Sequence, residues 1–329
     1  MRKTLRVLGW IATVVAVLVL GGLVYLGVAY PKQQDPPEVR IEPTPELLAR
    51  GRYLFHNVTG CAVCHSPHEP SLSGARIDSA RIGEGGEPFP IGSAGTLYAK
   101  NITPAALGEW TDGEIVRALR DGVSRDGTPL FPLMPYFNYR QLSELDLHAI
   151  VAYLRTLEPR TSDVPERELR FPMNLIIRLM PGPAGPYPSD PHQAQSLEYG
   201  RYLVTAASCG DCHSPMDDRG QPLPGRELSG GNEFPTGDGW VARTANITPD
   251  SATGIGAWSR ERFIGAFAGR RGQASRAPAP GERRSPMPWL SYSEMSEEDL
   301  GAMYDYLRTV EPVENEVIRF AREEDASAE

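Results

Sequence analysis

The sequence predicts an all-α fold: two tandem helical units behind an N-terminal membrane-spanning helix. Three observations carry that expectation. Val7 to Tyr30 is a run of 24 residues without a charge, long enough to cross a bilayer as a helix. The rest of the chain repeats itself. Gly51-Arg52-Tyr53-Leu54 recurs as Gly200-Arg201-Tyr202-Leu203, Asn101-Ile102-Thr103-Pro104 as Asn246-Ile247-Thr248-Pro249, and Tyr153-Leu154-Arg155-Thr156 as Tyr306-Leu307-Arg308-Thr309. Met134 to Tyr153 and Met287 to Tyr306 are both steps of 19 residues, which fixes a unit of about 110–120 residues present twice. Within a unit the apolar residues fall at helical spacing, as at Leu147, Ile150, Val151 and Leu154.

Taken in order, Met1 to Arg6 carries three basic side chains and no acid, which favours a cytoplasmic N-terminus with everything beyond the helix outside. A cleaved signal peptide is the alternative, with Gly27-Val28-Ala29 as its small-residue site. A retained anchor is favoured because signal h-regions are shorter, about 7–15 residues. Residues 1–31 form the anchor, and the proline-rich residues 32–45 a semi-rigid spacer expected to lift the first unit off the membrane. The first unit spans 46–160, an apolar linker 161–192, the second unit 193–313 and an acidic tail 314–329. Each unit is expected to hold three main helices. They run over Glu46–Asn57, Thr111–Gly122 and Ser143–Leu157, and over Leu197–Ala207, Ser259–Gly269 and Ser296–Val310. Thr111, Ser259, Ser143 and Ser296 are their N-caps, and the last two have an acid three residues on. The 33 glycines and 31 prolines place long loops between these helices. With 33 basic and 42 acidic residues the net charge is −9, which argues against a nucleic-acid partner.

All four cysteines fall in two motifs, Cys61-Ala62-Val63-Cys64-His65 and Cys209-Gly210-Asp211-Cys212-His213. C-x-x-C-H is the c-type haem attachment signature. The two thiols, Cys61 and Cys64 or Cys209 and Cys212, lie on one side of a helical turn and add to the two vinyl groups of one porphyrin. The adjacent imidazole, His65 or His213, is then the proximal iron ligand. A redox dithiol, a zinc site and a disulfide compete with this reading, but none needs a histidine after each pair. The expected cofactors are two covalently bound haem c groups.

For the sixth ligand, no histidine follows His213. Met216 is too close to it, and Met295 and Met303 align with Leu142 and Ile150 as core residues. That leaves Met287, in a proline-stiffened loop, with Met134 as its repeat equivalent. His56, His68, His148 and His192 are rivals better read as ordinary side chains.

These residues resemble the class I cytochrome c superfamily. More narrowly, the chain is similar to the multi-haem cytochrome subunits of bacterial membrane alcohol, aldehyde and gluconate dehydrogenases. The two motifs carry the resemblance together with Asn101 to Pro104, Trp110, Met134-Pro135-Tyr136 and Tyr139, and with Asn246 to Pro249, Trp258, Met287-Pro288-Trp289 and Tyr292. It implies two tandem cytochrome c domains, with Thr103, Trp110, Thr248 and Trp258 lining the haems or their propionates. Those subunits commonly carry three haems, whereas this chain has motifs for two.

The function expected is a membrane-anchored periplasmic dihaem cytochrome. It would transfer electrons between a dehydrogenase or quinol-oxidising complex and a downstream acceptor. Its partners would be redox proteins (a dehydrogenase, a bc1-type complex or a terminal oxidase) and the membrane itself. A fixed subunit of such a complex and a peroxidase-like dihaem enzyme with one open haem are the rivals. The second unit has a longer loop before its methionine, 18 residues from Gly269 to Met287 against 12 from Gly122 to Met134. Arg270, Arg271, Arg276, Arg283 and Arg284 there, against Glu282 alone, make a candidate docking patch for an acidic partner or a merely solvated loop.

Overall fold

The computed structural model describes residues 2–68, 77–191, 196–217, 221–273, 283 and 285–326. Helix α1 (Arg2–Ala29) is a single span of 28 residues whose apolar side chains are exposed along its length, as a helix solvated by lipid requires.

Unit one comprises α2 (Pro45–Tyr53), α3 (Cys61–His65), α4 (Pro104–Leu107), α5 (Asp112–Asp121), α6 (Tyr136–Tyr139) and α7 (Glu144–Leu154), and α8 (Met173–Ile176) follows in the linker. Unit two repeats the plan with α9 (Ser196–Ala206), α10 (Cys209–His213), α11 (Arg260–Ala268), α12 (Trp289–Ser293) and α13 (Glu297–Leu307); α14 (Glu323–Ala326) closes the described chain. The three expected main helices of each unit are present; five are shorter than the sequence suggests, and α9 keeps its expected length one residue earlier. The first is shorter because α2 passes into a π-turn over Leu54–Val58 before the motif.

Local chemistry explains the helix ends. Thr44 caps α2, with Pro45 at the first helical position. Thr111 and Glu114 form a reciprocal capping box on α5. Ser143 and Ser296 cap α7 and α13 by accepting from the Asp146 and Asp299 backbone N–H groups. The acids themselves do not reach back to complete a box, because their carboxylates are used elsewhere.

In each unit the first and last main helices cross closely. A Cβ on Gly51 of α2 would lie 1.9 Å from the Ala149 carbonyl oxygen of α7, and one on Gly200 of α9 would lie 2.0 Å from that of Ala302 on α13. The glycine of each Gly-Arg-Tyr-Leu repeat is therefore the crossing point, and Leu54 and Leu203 beside it are fully buried. Burying a leucine contributes about 1.5–3 kcal/mol, so each crossing is also a centre of the core.

The tyrosines of the repeat join the units. Tyr53 donates to the Asp299 carboxylate of unit two at 2.5 Å, and Tyr202 donates to the Asp146 carboxylate of unit one at 2.6 Å. Each phenol oxygen also accepts a backbone N–H at the facing helix start, from Ser296 and Ser143. The seam is thus reciprocal, each unit satisfying the other's buried acid.

The fold is mainly helical but not all-α. Two three-stranded antiparallel sheets accompany the helices: β1 (Pro88–Pro90), β2 (Gly95–Tyr98) and β3 (Glu168–Leu169), then β4 (Glu233–Pro235), β5 (Trp240–Arg243) and β6 (Phe320–Arg322). Phe89 pairs Leu97 and Thr96 pairs Glu168; Phe234 pairs Ala242 and Val241 pairs Ala321. Strands of two to four residues, some beginning or ending at proline, are too short to display alternation in a sequence. They bring the segment after each unit's last helix back across its haem loop.

The spacer does not stand off from unit one. Pro31 is buried, the Gln34 carbonyl accepts from Arg117 at 3.4 Å, and the Ile41 N–H donates to Asp112 at 2.9 Å. A Cβ on Gly113 would meet the Pro37 carbonyl oxygen at 1.8 Å. The expected lift off the membrane is replaced by a strap laid along α5, because its carbonyls and its apolar Val39 and Ile41 find partners there.

Candidate haem sites

Both C-x-x-C-H motifs open into one cavity of about 1930 Å³, walled mostly by apolar side chains from both units. Each motif is a single helical turn entered through a left-handed residue, Gly60 or Ser208. The motifs adjoin: the Cys212 thiol is pushed up to about 11 by burial, Asp211 and Cys64, in that order.

The proximal histidines are held identically. His65 Nδ1 lies 2.7 Å from the Lys100 carbonyl oxygen, and His213 Nδ1 lies 2.8 Å from that of Ala245. A carbonyl only accepts, so Nδ1 carries the proton and Nε2 keeps its lone pair, the tautomer a metal-ligating imidazole needs. Burial pushes both imidazoles below the ordinary histidine value despite those carbonyls, and the neutral ring is the ligating form.

The supporting loops share a set of bonds. Gly85 and Gly230 donate to the His65 and His213 carbonyls. Asn101 and Asn246 each accept from the threonine backbone two residues on, and each donates to the chain after the last helix, at Arg160 and Val313.

Met134 and Met287 both line the same cavity as the histidines. The Met134 carbonyl accepts from the Tyr136 N–H at 2.7 Å and the Met287 carbonyl from the Trp289 N–H at 2.8 Å. Tyr139 then donates to the Thr59 carbonyl at 3.0 Å, and Tyr292 to the Ala207 carbonyl at 2.8 Å. Each bond ties the methionine loop to the residue two before the first motif cysteine.

The lining suits haem. It is large, apolar and flanked by Trp110 and Trp258, and it carries positive charge from Arg167 and Arg319, both lowered by desolvation. Anionic propionates would relieve that desolvation.

No family model matches the chain. It is 32% identical over 244 residues to a dihaem c-type cytochrome of Cereibacter sphaeroides, an alignment covering 71% of this chain and 77% of that one. The chain belongs to the dihaem c-type cytochromes.

This cytochrome is also 30% identical to the fructose dehydrogenase cytochrome subunit of Gluconobacter japonicus, over 82% of this chain and 54% of that one. It is 34% identical to a nicotinate dehydrogenase subunit of Pseudomonas putida, over 66% of this chain and 18% of that one. It spans about half or less of the length of these two dehydrogenase subunits. The cytochrome holds two covalently bound haem c groups, at Cys61–His65 and Cys209–His213. Helix α1 anchors it in the bacterial inner membrane with the haem units in the periplasm.

The remaining expectations divide. Trp110 and Trp258 line the cavity of the cytochrome, but Thr103 and Thr248 do not. Both threonines are fully buried, with hydroxyls donated to Asn101 and Asn246, so they brace the asparagine loops instead. Met295 and Met303 are buried in the core as expected, but both also line the cavity, as does Met216. His56 bonds with Tyr153 at 2.9 Å, His68 pairs with Glu87 and the Val63 carbonyl, and His148 lies 4.0 Å from Glu144. His192 lies outside the described residues.

Met173 and Met180 of the linker also line the cavity, and the sequence does not single them out. Only the apolar character of the linker signals them. In the long arginine loop, Arg271 is spent on the Ser293 and Met295 carbonyls and Glu297. Arg270 stacks on Trp289 and Arg283 on Trp240. Arg276, Glu282 and Arg284 lie outside the described residues.

Proposed function

We propose that this cytochrome passes electrons between a membrane dehydrogenase or quinol-oxidising complex and a downstream acceptor, with both irons closed by His/Met ligation. The bound haem supplies a one-electron iron couple. The protein's part is to hold that couple at a set potential and away from water. His65 and His213 present unprotonated Nε2 atoms, fixed by the Lys100 and Ala245 carbonyls. Met134 and Met287 supply thioethers, which raise the potential relative to a second imidazole. Tyr139 and Tyr292 hold those loops to the segment before each motif.

The observation that carries the reading is this equivalence: two sites with the same histidine–carbonyl bond and the same tyrosine-braced methionine loop. A peroxidase-like enzyme would need one site to lose its closing ligand, and the turn that follows each methionine carries the same bonds in both units. The dehydrogenase link is supported by the relatives, which are subunits of fructose and nicotinate dehydrogenases. We assign residues 46–160 and 193–313 as the two cytochrome c domains.

A spectroelectrochemical titration of the full-length protein, with carbon monoxide added to the reduced form, tests the assignment. Two low-spin centres that ignore carbon monoxide are expected. Ready binding at one centre overturns its methionine ligation and reopens the enzymatic reading.

A further inference from the structure

We propose that the linker segment Phe171–Met180 lies on the periplasmic leaflet at the exit of α1, making unit one the membrane-facing haem site. The inference rests on the reading of α1 as a membrane span and goes beyond it.

The depth of the segment follows from α1. Its 28 residues rise about 42 Å at 1.5 Å each, more than the hydrocarbon core of about 30 Å. The excess puts the end of the helix at headgroup level. Tyr25 and Tyr30 pack edge-to-face there, the aromatic pair expected at a membrane boundary. Arg178 of the linker donates to the Tyr30 carbonyl at 3.2 Å. The linker backbone is therefore within one side chain's reach of the interface. The strap from Pro31 to Ile41, pinned to α5, leaves no slack for unit one to rise.

The segment is two-faced. Ile177 is 1% exposed, and Met173 and Met180 line the haem cavity. Phe171, Ile176 and Leu179 point the other way, 78%, 40% and 51% exposed. Large apolar side chains concentrated on one short stretch call for a partner. Here the partner is continuous with one already present, the bilayer around α1. Lys32, Arg170 and Arg178 add positive charge at the same end of an otherwise acidic chain, which suits anionic headgroups. One layer of linker then separates the unit-one end of the cavity from lipid. Membrane-embedded redox partners would meet unit one, and water-borne partners unit two.

The test uses the full-length holoprotein in phosphatidylethanolamine–phosphatidylglycerol vesicles. All four native cysteines are taken up by haem, so Phe171→Cys, Ile176→Cys, Leu179→Cys and the control Ile318→Cys each offer one thiol for a nitroxide label. Ile318 is exposed at 64%, just beyond unit two. Val17→Cys, in the middle of α1, reports the anchor itself. Collision rates with lipid-soluble oxygen and a water-soluble nickel chelate are compared. The proposal expects oxygen to exceed nickel several-fold at 171, 176 and 179, as at 17, with the order reversed at 318. Nickel access at 171 and 179 equal to that at 318, with 17 still deep, overturns the docking and leaves the anchor intact. Low access to both probes would mean that a second copy of the chain covers the patch, and also overturns it. Nickel access at 17 overturns the anchor and the docking together.

Discussion

Asp146→Asn should destabilise the protein by about 3 kcal/mol, and the equivalent Asp299→Asn by only about 1 kcal/mol. The two acids occupy equivalent places and each receives a tyrosine from the other unit, but their second partners differ. Asp146 is fully buried and takes a two-pronged bond from Arg50, at 2.8 Å on both prongs. Arg50 is itself only 21% exposed. An asparagine there turns a donor toward the guanidinium and removes the carboxylate that balances its charge, leaving the neutral phenol of Tyr199 beside it. Removing one partner of a buried pair costs about 3–5 kcal/mol, and the residual exposure of Arg50 places the loss at the low end. The position equivalent to Arg50 in unit two is Tyr199, so Asp299 faces phenols. Asparagine can still accept from Tyr53, and the loss is the difference between a charged and a neutral acceptor, about 1 kcal/mol. Urea unfolding of the full-length protein, followed by Soret absorbance and far-ultraviolet dichroism at constant m, measures both. Adding Arg50→Met to Asp146→Asn should recover most of the larger loss. Equal costs, or a larger cost for Asp299→Asn, would refute the reasoning.

Three further outcomes follow from the same geometry. Gly51→Ala and Gly200→Ala should each cost about 1–3 kcal/mol or more, because the new methyl would sit within 2.0 Å of a carbonyl oxygen at a helix crossing; thermal melts read this directly. Met287→His should lower the potential of one centre and leave the other in place, by a shift well inside the roughly 0.8 V that axial ligands span; potentiometry measures it, and an unmoved pair of potentials would remove Met287 as a ligand. Burial and the Arg52 charge push His56 down to about 4, against 6.5 for an ordinary histidine. Between those values the unfolded chain binds the extra proton, so stability falls as pH drops from 6.5 toward 4. His56→Gln should remove that part of the acid sensitivity and change little above pH 6.5, by urea titration across pH.

The motif, the repeat and the main helices are legible in the sequence because each has a local signature: C-x-x-C-H, a capping Ser or Thr, an apolar period of 3.6. Met134 and Met287 are reachable as candidates because a repeat lets one copy eliminate candidates for the other. The sheets are not legible, since β3 and β6 pair with strands some 70 or more residues away and show no alternation of their own. Nor are Met173 and Met180, which enter the cavity from a linker outside the repeat. Thr103 and Thr248 mark the limit of carrying a role across a resemblance. Their place in the motif is right, but their hydroxyls turn to Asn101 and Asn246 rather than to the cavity. The strap along α5 escapes for a related reason: proline-rich composition signals stiffness but says nothing about what a stiff segment leans on.

The crossed tyrosine–carboxylate bonds give the seam the form of an isologous dimer interface, with the same patch on both sides and each half supplying what the other lacks. A true homodimer with that interface would be obliged to keep its two centres alike, since every change would appear twice. Joining the halves in one chain lifts the obligation and fixes the stoichiometry at one to one. Arg50 in one half answers to Tyr199 in the other, and a short loop to a long arginine-rich one. Two centres free to differ can hold different potentials, and a difference in potential is what gives a pair of centres a downhill direction.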